Sequence, residues 1–233
     1  MLVQIYEVQT PEEALILVQL GVDHIGVLVG NGVFPREVLP PHAARVFNAL
    51  PSGTRRVALS LSPDEAEIAN VIEGTRPDII HIGAAVELFS ATETRALKVA
   101  FPDVLIMRSI PVVDEASIEW AGAYCGIADF LLLDSHEPGD RQIGALGRTH
   151  DWRISRHIVK EVGVPAILAG GLDADNVASA ISAVGPAGVD SKSKTDRADG
   201  TGKDLEKVRR FVNAAKLTSG MPSPAIRRRR CSE

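Results

Sequence analysis

One pattern constrains this chain more than any other: short aliphatic, β-branched runs alternate with longer amphipathic stretches along nearly its whole length. The strand-like runs are VQIYEV (3–8), HIGVLV (24–29), RVALSL (56–61), DIIHIG (78–83), VLIMRSI (104–110), DFLLLD (129–134), PAILAG (165–170) and AGVD (187–190). Helical patterns fall between and after them, near 11–21, 40–50, 63–75, 85–99, 114–124, 151–162, 174–184 and 203–216. Strands that alternate with helices imply βαβ units and a parallel sheet. Eight such units are the count of a closed barrel, so the expected fold is α/β, a single (β/α)8 TIM barrel with parallel strands. An open doubly wound sheet is the rival arrangement. A length of 233 residues suits one such domain.

Helix punctuation supports the alternation. Thr10-Pro11-Glu12-Glu13 offers a cap, a proline at the first helical position and acids at the positive end of the helix dipole. Ser62-Pro63-Asp64-Glu65 repeats that arrangement, and Gly21, Gly74 and Gly163 are expected to close helices. Aromatics make up only 4% of the chain, so the core must be filled by Val, Ile, Leu and Ala, as in parallel sheets covered on both faces. The barrel is expected to span residues 1–216. Residues 217–233, with Gly220, Pro222, Pro224 and the run Arg227 to Arg230, read as a disordered Arg-rich tail.

Several function classes drop out. A net charge of −5 argues against a nucleic-acid footprint. The two cysteines, Cys125 and Cys231, make neither a disulfide framework nor a metal knuckle. The six histidines are scattered, so no metal ligand set is expected. GVLVGNG (26–32) does not open a helix as a dinucleotide fingerprint must, and there is no Walker loop, so no cofactor is expected. No apolar run approaches the length of about 18 residues needed to span a membrane, and no signal peptide is visible. A cytoplasmic protein is the expectation.

Active sites of such barrels lie at the C-terminal ends of the strands. Those ends offer Tyr6 and Glu7, then Gly30, Gly32 and Arg36, then Ser60 and Ser62, His81, Arg108, Asp134 with Ser135, Gly170 with Gly171, and finally Asp190, Ser193 and Lys194. LAGGL (168–172) sets two glycines between a strand and a helix, where backbone amides can approach an oxyanion closely. With the Ser and Lys donors of DSKSK (190–194), Gly170, Gly171, Ser193 and Lys194 form a candidate phosphate site, as the loops after strands 7 and 8 commonly do. The ligand expected is a phosphorylated small molecule; a plain tight turn is the alternative for the glycines. In FLLLDS (130–135) an apolar run leads into Asp134, a setting that can raise a carboxyl pKa and suit a general acid, unless Asp134 is only a cap or surface acid.

These segments together resemble the phosphoribosylanthranilate isomerase family over about residues 2 to 214. The resemblance is carried by GVDHIGVLV followed by FPREV, by FLLLDS followed by the loop to HDW, by PAILAGGLDADNVASAI and by GTGKDLEKVRRFV. It implies an Amadori rearrangement, in which an acid protonates the ring oxygen of a phosphoribosyl-amine and a base removes the proton at C2. By resemblance Asp134 is the acid, Arg36 holds the anthranilate carboxylate, and Gly170 and Gly171 belong to the phosphate loop. Members of the family are monomers or homodimers.

The site departs from the family pattern in several places. The catalytic cysteine of its KICG segment falls on Tyr6 and the lysine on Gln4. QLHG reads HIGA (81–84), the flexible GGTG loop reads GALG (144–147), and the serine-glycine of the last phosphate loop reads Ser193-Lys194. A phenol is a weak base unless a cation such as Arg108 points at it, and His81 is a second candidate base. Glu7 faces away from the lumen if Tyr6 faces in, unless the first strand breaks early and lets it swing inward. The candidate catalytic residues are thus Asp134, Tyr6 and His81, with Arg36, Arg108 and Glu7 as candidate substrate contacts. Three readings follow: an isomerase of this type with a replaced base, a divergent paralogue acting on another phosphorylated or anionic small molecule, or a non-catalytic binding protein.

Overall fold

The computed structural model describes residues 1–218, apart from 138 and 145. The eight runs form parallel strands β1 (Leu2–Ile5), β2 (His24–Leu28), β3 (Arg55–Ser60), β4 (Ile79–Ile82), β5 (Leu105–Pro111), β6 (Phe130–Asp134), β7 (Ala166–Leu168) and β8 (Gly188–Ser191). Each pairs with the next, and β8 returns to β1 with Leu2 opposite Gly188 and Ile5 opposite Ser191, closing the barrel. Helices α1 (Pro11–Gln19), α2 (Pro40–Asn48), α3 (Glu65–Thr75), α4 (Ala91–Ala100), α5 (Ala116–Ala123), α6 (Trp152–Glu161), α7 (Val177–Val184) and α8 (Leu205–Thr218) follow the strands in turn. None of them is long and apolar enough to cross a membrane. α8 runs to Thr218, so Leu217 and Thr218 belong to the last helix. The Arg-rich segment 219–233 lies outside the described residues.

The strands alternate between two cores. Val3, Ile5, Ile25, Val27, Ile80, Ile82, Ile106, Leu131, Leu133 and Val189 pack outward against the helices. Tyr6, Val57, Ile79, Met107, Leu132, Ile167 and Ala169 pack inside the barrel. Period-2 alternation in a strand buried on both faces produces both sets from one continuous apolar run. At roughly 1.5–3 kcal/mol for each buried aliphatic side chain, these two layers supply most of the drive to close the sheet.

The caps follow the sequence in part. Thr10 caps α1 as expected, accepting from the backbone N–H of Glu13 with Pro11 in the first turn. At α3 the expected Ser62-Pro63 start is displaced: Asp64 is the cap, accepting from the N–H groups of Ala66 and Glu67, while Ser62 accepts from the N–H of Asp64. Gly74 does not close α3 either. The helix continues to Thr75, and Arg76 takes the left-handed closing position with φ 47°. Gly74 instead admits Pro40 of α2, since a Cβ there would stand 2.7 Å from the proline ring. α4 begins at Ala91, later than its pattern suggests, because Ser90 and Glu93 form a reciprocal capping box there.

Candidate active site

A cavity of about 200 Å³ opens at the C-terminal end of the barrel. Its walls include Tyr6, Glu7, His81, Ser109, Asp134, Asp190 and Lys192, with Leu28, Phe34, Pro35, Leu61 and Ile143 on the apolar side. A second cavity of about 450 Å³ adjoins it between the loops after β2 and β3, with Phe34 and Leu61 lining both. The structure therefore brings Tyr6, His81, Asp134 and Glu7 of the expected site together.

Asp134 ends β6. Its Oδ1 accepts from the N–H of Ser135 at 2.7 Å. Two glycines make room for it: a Cβ on Gly144 would meet its Oδ2 at 2.1 Å, and one on Gly170 would approach its Oδ1 at 3.3 Å. A small cavity of about 30 Å³ lies beside it, lined by Gly147, Gly170, Gly171, Asp190, Ser193 and Lys194 among others. The glycine pair has φ values of 85° and 61°. A Cβ on Gly171 would also stand 2.8 Å from the carbonyl oxygen of Gly147, so the glycine lets the backbone at 147–148 approach the turn after β7 closely. Ser193 and Lys194 sit in a short 3-10 turn (Ser193–Thr195) with both side chains exposed.

Tyr6 follows β1 and lays its ring across β2. A Cβ on Gly26 would fall 2.2 Å from that ring, so the glycine is the space in which the tyrosine lies. The Tyr6 hydroxyl bonds His81 Nδ1, and His81 Nε2 bonds Ser109 Oγ at 2.7 Å. This chain of three polar groups is buried along the wall of the cavity. Burial, reinforced by the nearby Asp190 carboxyl, pushes the phenol well above its ordinary value. Burial, with help from the charge of Arg108, pushes His81 down to about 3. Both groups are neutral near pH 7.

Asp190 forms part of the floor. It is 6% exposed, and its Oδ1 accepts from Gln4 Nε2 at 3.3 Å, while Gln4 Oε1 bonds His24 Nδ1 at 3.0 Å. Burial and the neighbouring Asp134 push the Asp190 carboxyl up to about 8. The bond from Gln4 and the charge of Lys203 oppose this shift without cancelling it. Asp190 was visible in the sequence as a strand end, in the same apolar-run-to-aspartate form as Asp134, but nothing local told the two apart.

Arg108 does not reach the site. Met107 faces the barrel interior and Ser109 the cavity, so alternation turns Arg108 outward. There it is fully buried and donates to the Tyr124 hydroxyl and to the carbonyls of Ile82 and Phe89, at 3.2, 2.8 and 3.0 Å. The expected substrate contact is a scaffold strut, and it brings no hydrogen bond to Tyr6.

Glu7 does swing in. β1 ends at Ile5, Glu7 adopts φ 59°, and its carboxylate meets Lys192 Nζ at 3.2 Å and Arg36 Nε at 3.3 Å. Arg36, itself at φ 64°, donates to the Glu7 carbonyl at 2.7 Å, to Asp196 at 3.3 Å and to the Gly200 carbonyl at 3.2 Å. The buried Lys203 holds Asp196 from below at 2.6 Å. Among the described residues no cluster of three or more potential metal ligands occurs.

The sequence model of the N-(5'phosphoribosyl)anthranilate (PRA) isomerase family matches residues 4–214. A protein of Methanocella arvoryzae named N-(5'-phosphoribosyl)anthranilate isomerase is 34% identical over 219 residues, which cover 93% of this chain and 98% of that one. The solved N-(5'-phosphoribosyl)anthranilate isomerase of Pyrococcus furiosus superposes with a TM-score of 0.74 at 27% identity, covering 93% and 99% of the two chains. A further solved phosphoribosyl anthranilate isomerase, in complex with reduced 1-(o-carboxyphenylamino)-1-deoxyribulose 5-phosphate, gives 0.70 at 25% identity over 93% and 100%.

Proposed function

This chain belongs to the N-(5'-phosphoribosyl)anthranilate isomerase family, and from that premise we propose that it catalyses the Amadori rearrangement of N-(5'-phosphoribosyl)anthranilate to the corresponding aminodeoxyribulose phosphate. The observation that carries the reading is the placement of Asp134. It stands at the end of β6, between the cavity that holds Tyr6 and Glu7 and the small cavity bounded by Gly170, Gly171, Ser193 and Lys194. A phosphorylated sugar with its phosphate at the glycines lays its ring against Asp134.

Each group then has a role set by its chemistry. The amides of Gly170 and Gly171, with Ser193 and Lys194, hold the phosphate. Asp134 gives a proton to the ring oxygen, and the ring opens to the protonated imine. The aromatic aglycone rests on the apolar wall of Phe34, Pro35 and Leu61. Arg36 takes its carboxylate, a planar partner for a planar guanidinium, by exchanging one of its present acidic contacts. Tyr6 and His81 form the neutral wall behind the sugar and keep water out.

Turnover of phosphoribosylanthranilate, followed by anthranilate fluorescence, tests the reading. The natural protein is expected to turn over, and Asp134→Asn to lose activity while keeping its circular dichroism and melting temperature. An inert natural protein refutes the function, and an active Asp134→Asn removes Asp134 from the acid role.

A further inference from the structure

We propose that Glu7 is the general base of this protein, taking the proton from C2 of the sugar in place of the missing thiol; the proposal rests on the isomerase reading above. The rearrangement needs a proton acceptor facing the sugar. The tyrosine at the thiol position is unsuited, because its hydroxyl is committed to His81 and its ring is pinned against Gly26. His81 has both ring nitrogens occupied, by Tyr6 and by Ser109. Asp190 is held by Gln4 on the floor and keeps its proton near neutral pH, which makes it a donor. Asp134 is used as the acid.

Glu7 is the remaining carboxylate on the cavity wall. It follows the thiol position directly, and the early end of β1 at Ile5 turns it toward the cavity. Its backbone is telling. Among the described residues only Glu7, Arg36 and Arg76 are non-glycine residues at positive φ. Arg76 closes a helix, whereas Glu7 and Arg36 stand together at the mouth in an ion pair. A left-handed conformation strains a residue that carries a side chain, and strain of this kind gathers where a side chain must be aimed. Lys192, on the loop after β8, holds the second carboxylate oxygen and leaves Glu7 anchored when the substrate's carboxylate takes the Arg36 edge.

The step balances. With the imine protonated, the C2–H bond breaks and Glu7 takes the proton. The released pair forms C1=C2, and the π pair of C1=N returns to nitrogen, giving the enolamine. On ketonisation the C2 hydroxyl gives its proton to the Asp134 carboxylate and C2=O forms. The C1=C2 pair takes the proton that Glu7 holds. Both carboxyl groups end as they began, and no co-reactant enters.

Glu7→Gln in the full chain, assayed with phosphoribosylanthranilate, is the test. A base contributes about 10²–10⁴-fold, so kcat is expected to fall by that factor. KM should stay level or drop, because a neutral side chain no longer competes for Arg36. Glu7→Gly, which suits the left-handed backbone and so protects folding, is expected to lose kcat equally and to regain part of it with added formate. If kcat of both variants stays within about twofold of the natural protein while KM drops, Glu7 only occupies Arg36 and the base assignment falls alone. If the natural protein itself does not turn over, the isomerase reading falls and the base with it.

Discussion

Asp190→Asn probes the electrostatics of the barrel floor. The carboxyl is 6% exposed and is pushed from 3.8 to about 8 by burial and by Asp134. Between those values the native state holds a proton that the unfolded chain has released. The group's contribution to stability is therefore complete below pH 4 and is lost as pH rises through about 8. At 1.36 kcal/mol per pH unit the whole span is worth roughly 6 kcal/mol, of which about 4 falls between pH 5 and pH 8.5. His24 and His81 act in the opposite sense. Burial lowers them to about 4 and about 3, so they cost stability as pH falls below 6.5. The raw pH profile mixes these effects, but the difference between variant and natural protein cancels the histidines. Asparagine keeps the shape and the bond from Gln4 while removing the titration. Urea unfolding at a series of pH values should show the two proteins drawing apart, with the variant gaining roughly 4 kcal/mol on the natural protein from pH 5 to pH 8.5. A gap that stays constant with pH would refute the raised carboxyl.

Gly26→Ala drives a methyl group into the Tyr6 ring and should destabilise by about 1–3 kcal/mol, with Tyr6→Cys in the same chain restoring the melting temperature; additive losses would show that the ring is not the obstacle. Tyr6→Phe leaves His81 Nδ1 unpaired in a buried site and should cost about 1–3 kcal/mol with kcat retained within a few-fold; a collapse of kcat in folded protein would make the phenol the base. Arg108→Met strands the carbonyls of Ile82 and Phe89 and should lower stability by about 3 kcal/mol with KM unchanged where the protein is folded. A raised KM at an unchanged melting temperature would return Arg108 to the substrate site.

The sequence by itself determined the parts of this protein that rest on local chemistry. The alternation of aliphatic runs and amphipathic stretches sets eight strands and eight helices in order, because periods of 2 and 3.6 are properties of a segment alone. Thr10-Pro11 caps its helix for the same local reason, and an apolar run ending in Asp134 puts that carboxyl at a strand end. The tertiary structure decided what depends on which face a residue occupies and on what lies opposite it. Arg108 and His81 both lie on strands near the mouth, yet the parity of each strand turns one outward into the scaffold and the other inward. The family cysteine's replacement, Tyr6, reads in sequence as a changed reactive group, but its ring lies on a glycine of the neighbouring strand and its hydroxyl is bonded to a histidine three strands away. Asp134 and Asp190 look alike in sequence, and it is the deep burial of Asp190 in the closed barrel, beside Asp134, that raises its carboxyl. Glu7 faces the cavity because β1 stops at Ile5 and the backbone turns left-handed, held there by Arg36 and Lys192 from distant loops. Charge and proton affinity in this site follow from burial and from partners far apart in the chain, and those exist only once the barrel has closed.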